Sequence, residues 1–412
     1  MDGERKSQEQ WGLKDISEWT TSKDVPACPY KHYKPEQHKE VVLKIIEIET
    51  NFFLLDMTLG FYESLDVEVS DALIEKRQFE IVLRHLNSFK DADLEIIGML
   101  AINQGKFDLV LRYLNKFVPN GDNRLATALV CEIIKQHSGY EILEHREKHV
   151  FELIDHDLFV EQMISLSEQY VNHLSCFAPY LKNLSREIAL SLINTQNPNV
   201  VGWMMVAMID CFVVLDSEVA FVLIEQGGTL SASRLLDKFI DLDQKVANRL
   251  AESGYGLVIF QKAELFMDIN LQEVIYKMAS AKSSVEDIFH VSIYPAGKKA
   301  IQQIDFVILS DRMIEHGNEQ VLAEHVDRFP VELHKTIALK LISENSGVLI
   351  MRFLQKFSGL DAEVVQALID AGFGKGLAEE FEEWKKIDSN LLSKLRNDPT
   401  VNYIDRNPPW QK

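Results

Sequence analysis

The sequence between residues 145 and 156 holds the densest group of potential metal ligands in the chain. His145, His149, Glu152 and His156 are spaced so that all four would lie on one face of a helix. Two histidines one turn apart can share a metal ion, although the glutamate here is not part of an HExxH motif and a further ligand would have to come from elsewhere. The apolar residues of this segment form a core stripe of their own. We therefore interpret the histidine face as solvated and predict no bound metal.

Two further segments resemble ligand-binding motifs. Cys28 and His32 are spaced like the last two ligands of a CCCH zinc finger, and His38 follows them, but the two cysteines that such a finger needs upstream are absent. The glycine-rich segment AGFGKG (371–376) resembles a phosphate-binding loop, but it follows a predicted helix and not a strand, which indicates a helix end. Because no nucleophile–base pair or carboxylate pair stands out either, we predict a non-catalytic protein without a cofactor.

Basic residues recur at fixed distances from a large aromatic residue at the ends of several short predicted helices. Arg84, Arg112, Arg234 and Arg352 precede that aromatic by five residues, and Lys116, Lys238, Arg328 and Lys356 precede it by one. The two positions are four residues apart and share a helix face, so stacked helices would align them in a positive stripe, called here the basic ladder. Either these cations pair with acidic neighbours and the negative helix ends, or they line a partner-binding groove. The sequence leaves both interpretations open.

Potential helix-capping residues recur along the chain at intervals of 27–35 residues. They are Asp66, Asp93, Asp122, Asp157, Ser185, Asp216, Asp243, Asn270, Asp305, His334, Asp361 and Asp388. Asp, Asn or Ser at an N-cap accepts a hydrogen bond from a helix N–H, and the apolar residues that follow form one helical stripe. Glycines eleven or twelve residues after several caps are placed to end these helices in a left-handed conformation: Gly105, Gly227, Gly254, Gly317 and Gly372. The pattern predicts one helix after each cap.

A second, shorter helix is predicted before each cap, and it ends on a large aromatic residue. These aromatics are Phe61, Phe89, Phe117, Phe212, Phe239, Phe266, Phe329, Phe357 and Trp384. Each lies four or five residues before the next cap. We predict that they form wedges in the corners between successive helical hairpins.

The repeated phrase is clearest in LDSEVAFVLIEQG from Leu215, LDQKVANRLAESG from Leu242 and LDAEVVQALIDAG from Leu360. With L-x-K-F at the end of the second helix, it resembles the HEAT-like and armadillo-like α-solenoids, in a unit shorter than the usual HEAT repeat. The resemblance implies an all-α fold, a right-handed α-solenoid of about twelve helical hairpins of 27–35 residues. It implies no particular function, because such solenoids serve as scaffolds, transport adaptors and nucleic-acid readers.

The expected organisation is a polar N-terminal arm or cap (1–35), a helical array (36–396) and an extended C-terminal tail (397–412). Three prolines exclude a helix in the tail. Within the array, residues 290–300 are predicted to form a loop because they include a proline and a glycine.

The 412-residue chain carries a formal net charge of −20, which disfavours nucleic acids and anionic membranes as partners. Scattered cysteines, the lack of an N-terminal apolar signal and the lack of an apolar stretch long enough to span a bilayer indicate a cytoplasmic protein. We therefore predict a scaffold that binds a protein or peptide with a basic surface. Two alternatives remain open: a nucleic-acid or phosphorylated-ligand binder that uses the basic ladder, and a metal-dependent activity at the histidine cluster.

Overall fold

The computed structural model describes residues 16–26, 28–48, 52–136, 148–166, 168–194, 198–281 and 283–373. These residues are mostly helical, and their strands are limited to the two-residue segments β1 (Leu65–Asp66) and β2 (Phe89–Lys90). The prediction of an all-α fold is therefore confirmed. The chain divides into two compact units, Met1–Ile188 (unit 1) and Ala189–Lys412 (unit 2).

Unit 1 alternates longer helices with short ones that end in a turn of 3-10 helix. Its helices are α1 (Pro29–His32), α2 (His38–Ile48), α3 (Phe53–Thr58), α4 (Val67–Glu75), α5 (Phe79–Arg84), α6 (Leu94–Asn103), α7 (Phe107–Arg112), α8 (Arg124–Gln136), α9 (His156–Leu166) and α10 (Glu168–Phe177). The longer helices pack on one another, α2 on α4, α6 on α8 and α8 on α9. The next helix, α11 (Arg186–Asn194), contains the division between the units.

Unit 2 continues the alternation. Its helices are α12 (Pro198–Met208), α13 (Ser217–Glu225), α14 (Thr229–Arg234), α15 (Gln244–Leu250), α16 (Gly256–Gln261), α17 (Leu271–Ala279), α18 (Pro295–Gln302), α19 (Phe306–Glu315), α20 (Glu319–Glu324), α21 (Val331–Ser343), α22 (Gly347–Arg352) and α23 (Ala362–Asp370). Helices α13, α15, α17, α19, α21 and α23 each contact the next helix in this series. One hydrophobic core therefore runs through the unit from Ala189 to Leu368.

Most of the predicted caps begin helices as expected. Asp66, Asp93, Asp216, Asp243, Asn270, Asp305 and Asp361 each accept a backbone N–H of the helix that they precede. Asp122 accepts from Arg124 N (3.0 Å), and Ser185 accepts from Ile188 N (3.4 Å). Asp388 lies outside the described residues.

Two predicted caps are wrong. Asp157 lies inside α9, because Asp155 caps that helix two residues earlier and accepts from Leu158 N (3.0 Å). His334 lies in the first turn of α21, because Pro330 is not helical and the helix begins at Val331. The His334 side chain has another role, which is described below.

The predicted helix-ending glycines have positive φ angles. Gly105, Gly227, Gly254, Gly317 and Gly372 all lie in the left-handed region. By contrast, the predicted loop at 290–300 is wrong, because Pro295 starts α18, where its missing N–H sacrifices no hydrogen bond. Gly297 then packs on the Val291 carbonyl, whose oxygen would lie 2.0 Å from an added Cβ.

Aromatic residues end or directly follow the 3-10 turns that close the short helices. Phe89, Phe117, Phe239, Phe266, Phe329 and Phe357 are buried, and Phe212 is half-buried. Phe61 is wrong as a wedge: its side chain is 60% exposed, whereas that of Tyr62 is 5% exposed. The turn covers Leu59–Phe61, so Tyr62 is the residue that follows it, as Phe89 follows the next one. Trp384 lies outside the described residues.

Backbone bonds join consecutive loops within each unit. In unit 1, β1 pairs in parallel with β2. In unit 2, Ile240 N donates to Leu215 O (2.9 Å) and Met267 N donates to Leu242 O (2.8 Å). Each loop therefore holds the next one at a fixed register. No helix in the described ranges is both long and apolar enough to cross a membrane.

Candidate interaction surface

The two arginines of the basic ladder in unit 1 are neutralised within the chain. Arg84 forms ion pairs with Asp56 and with Glu80, the latter at 2.8 Å, and its Nε donates to the Tyr113 hydroxyl (3.3 Å). Arg112 lies 3.7 Å from the same Glu80 carboxylate. For these two arginines, the structure favours the interpretation of internal charge pairing.

The three lysines of the ladder have different surroundings. Lys116 lines a surface cleft of about 480 Å³ and forms no ion pair with a described residue. Lys238 is 2.7 Å from the Asp210 carboxylate, and this contact raises the pKa of the lysine. Lys356 donates to the Glu324 carbonyl oxygen. The ladder is therefore not a continuous row of unpaired cations.

The two arginines that the ladder contributes to unit 2 are exposed. Neither Arg234 nor Arg352 forms an ion pair with any residue that the structure describes. The Arg352 guanidinium lies 5.9 Å from the centroid of the Phe353 ring, which provides a cation–π contact and no charge compensation. These positions differ from their counterparts in unit 1.

The residues four positions before these arginines also differ between the units. They are Glu80 and Asp108 in unit 1, and Leu230 and Val348 in unit 2. Glu80 pairs with Arg84 on its own helix and lies 3.7 Å from Arg112 of the next short helix, whereas Leu230 and Val348 cannot form ion pairs. Both aliphatic side chains are exposed.

Helices α12 and α14 meet beside an exposed tryptophan. The Trp203 side chain is 61% exposed, and an added Cβ on the adjacent Gly202 would lie 2.8 Å from Ser231 Oγ. Leu230 precedes that serine on α14, so Trp203 and Leu230 are exposed apolar residues of two helices that are in contact. We call Trp203, Leu230 and Arg234 the tryptophan surface. Helix α12 has no charged residue, which leaves this surface less acidic than the chain as a whole.

The histidine face predicted from the sequence does not form a metal site within the described residues. His145 lies outside the described residues, His149 and Glu152 belong to a 3-10 helix (Lys148–Glu152), and His156 begins the separate helix α9. The prediction of one continuous helix face is wrong, because the Asp155 cap starts a new helix. Among the described residues, no three His, Cys, Asp or Glu side chains come together as a metal site.

His156 instead joins its own helix to the next loop. Its Nδ1 accepts from Lys182 N (3.0 Å), and its Nε2 lies 2.6 Å from Phe151 O, to which it donates. The Lys182 carbonyl is also 2.9 Å from Nδ1, but an amide N–H can only donate, so the N–H contact fixes the tautomer. Both ring nitrogens are thus in use.

His38 and His334 make the same connection. Nε2 of each donates to the carbonyl five residues earlier, at 3.2 and 3.1 Å. Nδ1 of each accepts a backbone N–H from the following loop, that of Glu63 or Ser358, at 2.9 Å. Both rings are buried. His38 is therefore a structural residue and not a stray zinc ligand.

The lysines that follow these two histidines also reach the next helix. The ion pairs are Lys39–Asp66 (2.7 Å), Lys39–Glu68 (2.5 Å), Lys335–Asp361 (2.7 Å) and Lys335–Glu363 (2.5 Å). The hydrogen bond from Lys335 is the main cause that lowers the pKa of Asp361. The histidine–lysine pair and the next Asp-x-Glu therefore form one joint between hairpins.

A sequence signal for this joint is present but was not part of the predicted pattern. The segments HKEVVLKII (38–46) and HKTIALKLI (334–342) match closely, and LD-x-E-V follows each of them at 65–69 and 360–364. Alignment on capping residues alone hides the match, because it places His334 at a cap position. Aligning on the histidine would have identified it.

The cysteines offer no reactive thiolate at neutral pH where they are buried. Burial raises the pKa of Cys131 to about 12 and that of Cys211 to about 11. Cys28 and Cys176 are half-buried, and all four thiols are free. The two buried thiols behave as small apolar side chains.

The chain matches no protein-family model, no curated protein and no solved structure.

Proposed function

We propose that this chain is a non-catalytic helical-repeat scaffold, a right-handed α-solenoid of the HEAT-like kind that binds proteins through an extended surface. The contacts between consecutive longer helices and the recurring joints support this architecture. In such an array the inner positions hold the hairpins together, and the outer positions are free to vary with the partner.

The observation that carries the proposal is the tryptophan surface of unit 2. Trp203 is 61% exposed and so contributes little to the core, and tryptophan and arginine are among the residues most enriched at the energetic centres of protein interfaces. Arg234 adds a cation without an internal carboxylate partner among the described residues. Together, Trp203, Leu230 and Arg234 offer both an apolar anchor and a charged contact.

Quantitative affinity capture from the native host tests the proposal. We compare the full-length protein with the double variant Trp203→Ala/Arg234→Ala and with the control Arg84→Ala in unit 1. Both replaced side chains of the double variant are exposed, so its melting temperature should match that of the wild type. We expect at least one captured protein to fall about ten-fold in the double variant and to remain in the control.

An unchanged set of captured proteins in a folded double variant would refute the tryptophan surface as a binding site. The nucleic-acid alternative has less support, because Arg84, Arg112 and Lys238 are paired with carboxylates. It would replace our proposal if a labelled oligonucleotide bound with a steep salt dependence that Arg234→Ala and Arg352→Ala reduced.

A further inference from the structure

Three consecutive loops of unit 2 each expose an apolar side chain at the same position, and the first loop also exposes Val214, at 41%. Val213, Ile240 and Met267 directly follow Phe212, Phe239 and Phe266, and they are 65%, 50% and 59% exposed. We call these three residues the loop ridge. In unit 1 the corresponding residues include Glu63 and Lys90, so the fold does not demand an apolar residue there.

Backbone bonds align the members of the ridge. Ile240 N donates to Leu215 O, two residues after Val213, and Met267 N donates to Leu242 O, two residues after Ile240. The same bond therefore relates each member to the next. Because α13, α15 and α17 pack side by side behind these loops, neighbouring members should be about 8–10 Å apart.

The ridge has an acidic border. The loops 212–216, 239–243 and 266–270 contain Asp216, Asp241, Asp243 and Asp268 and no lysine or arginine. Two of these aspartates, Asp216 and Asp243, cap helices. The other two, Asp241 and Asp268, are exposed and form no ion pair within the described part of the chain.

Two lysines that precede ridge loops in the sequence are already paired with carboxylates. Lys238 pairs with Asp210 at 2.7 Å, and Lys262 pairs with Asp237 at 3.2 Å. The hydrogen bond from Lys262 is the main cause that lowers the pKa of Asp237. Lys238 and Lys262 are thus paired with other carboxylates, and Asp241 and Asp268 are open to an external cation.

We infer that the loop ridge is a docking site for a basic amphipathic helix of another protein, whose apolar residues contact Val213, Ile240 and Met267 and whose lysines or arginines face Asp241 and Asp268. The inference rests on the proposed scaffold function and names the partner's chemistry. Two turns of an α-helix rise about 10.5 Å, so residues seven apart match the expected spacing of the ridge. A segment of about fifteen residues or more would reach all three members.

A designed peptide pair tests this directly with the full-length protein. The first peptide is an 18-residue helix former with leucines on one face and lysines elsewhere, and the second has glutamate in place of every lysine. A third has the composition of the first in scrambled order. By fluorescence anisotropy at physiological salt, we expect the first peptide alone to bind, because only it joins an apolar face to positive charge.

Variants assign the binding to the ridge. We expect Ile240→Ser and Met267→Ser each to weaken binding of the leucine–lysine peptide about ten-fold. We expect Asp241→Asn/Asp268→Asn to weaken it and to reduce its salt dependence, since asparagine preserves the left-handed backbone at both positions. Val348→Ser is the matched control, an exposed aliphatic residue of unit 2 outside the ridge, and should bind as the wild type does.

Equal binding of the scrambled peptide, or unchanged binding by the serine variants, would overturn the inference, since either result indicates attraction to the acidic chain in general. A fall in solution mass on Ile240→Ser, with no peptide binding by the wild type, would also overturn it and assign the ridge to a second copy of this chain. The scaffold proposal fails separately, through an unchanged capture set for the Trp203→Ala/Arg234→Ala variant.

Discussion

The two units connect consecutive helices through the same histidine–lysine pair. His38 and Lys39 in unit 1 and His334 and Lys335 in unit 2 make the same hydrogen bonds and ion pairs, with distances that agree within 0.1 Å. Each joint links a helix to the loop and helix that follow it. Their agreement indicates that these positions serve the packing of one hairpin on the next.

The outer positions of the two units differ in kind. Where unit 1 has Glu80 beside its arginines, unit 2 has Leu230, and where unit 1 has Lys90 after a buried aromatic, unit 2 has Ile240. The fold tolerates either choice, so packing does not account for exposed aliphatic residues in unit 2. The comparison indicates that binding residues should be sought at outer positions where the two units differ, next to inner positions where the two units agree.

The largest effect should come from removing a buried aromatic. Phe239→Ala in unit 2 removes a side chain that is 4% exposed, so we expect a cavity and a loss of about 3–5 kcal/mol in the free energy of unfolding, measured by urea denaturation. Phe117→Ala should behave alike in unit 1. Phe61→Ala is the control and should lose only about 1 kcal/mol, because its ring is 60% exposed and gives up chiefly its stacking on Tyr30, at 5.0 Å between ring centroids. Similar losses for Phe61 and Phe239 would contradict the assigned turn position.

The histidine joints should come next, with similar effects in both units. His38→Phe and His334→Phe keep the ring volume but leave a backbone N–H and a carbonyl without partners, so we expect each to lose about 2–4 kcal/mol. Exposed His316→Phe is the control and should have little effect. Imidazole nitrogen shifts in NMR should show Nδ1 unprotonated in His38 and His334. A loss confined to one unit would break the comparison.

A helix cap should have a smaller effect. Asp243→Ala removes the acceptor for Lys245 N and Val246 N, and we expect a loss of about 1 kcal/mol in urea denaturation. Asp241→Asn, two residues earlier, is the matched change of an aspartate that caps nothing. If both variants were equally destabilised, local charge and not the cap would be the cause.

The smallest expected effect concerns pH. The pKa of Asp361 is lowered, chiefly by its hydrogen bond with Lys335, below the ordinary aspartate value of 3.8. Because the folded value is the lower one, this carboxylate stabilises the fold above about pH 4, and the contribution is lost as the pH falls through the folded pKa. An NMR titration should show this low midpoint and its return toward 3.8 in Lys335→Met. An unchanged midpoint would exclude the lysine as the cause.

Local signals made most of the helices predictable. A capping aspartate accepts a hydrogen bond from a backbone N–H two or three residues later, so the adjacent sequence identifies its role, as with Asp216 and Asp361. Where two nearby residues both suit a role, the sequence pattern selects a residue one or two positions from the correct one. Asp155 and not Asp157 caps α9, and Tyr62 and not Phe61 fills the corner, because the turn geometry decides between adjacent candidates.

The joints were not predictable from single motifs, since their partners lie about one hairpin away. His334 bonds to a loop 24 residues later, and no local spacing distinguishes that role from a cap. Whether the cations of the basic ladder form ion pairs could not be predicted from the sequence either, because it depends on which side chains of the neighbouring helix face Arg84 or Arg234. Comparison of equivalent positions recovers both.

Native-state hydrogen exchange on Phe239→Ala tests the central claim, that hairpins are stabilised by their immediate neighbours, most directly. We predict that amides of α13 to α16 lose protection, while those of α21 and of α8 in unit 1 keep their wild-type values, because stability in the proposed repeat array would be local. A loss of protection that is uniform from α2 to α23 would contradict the account.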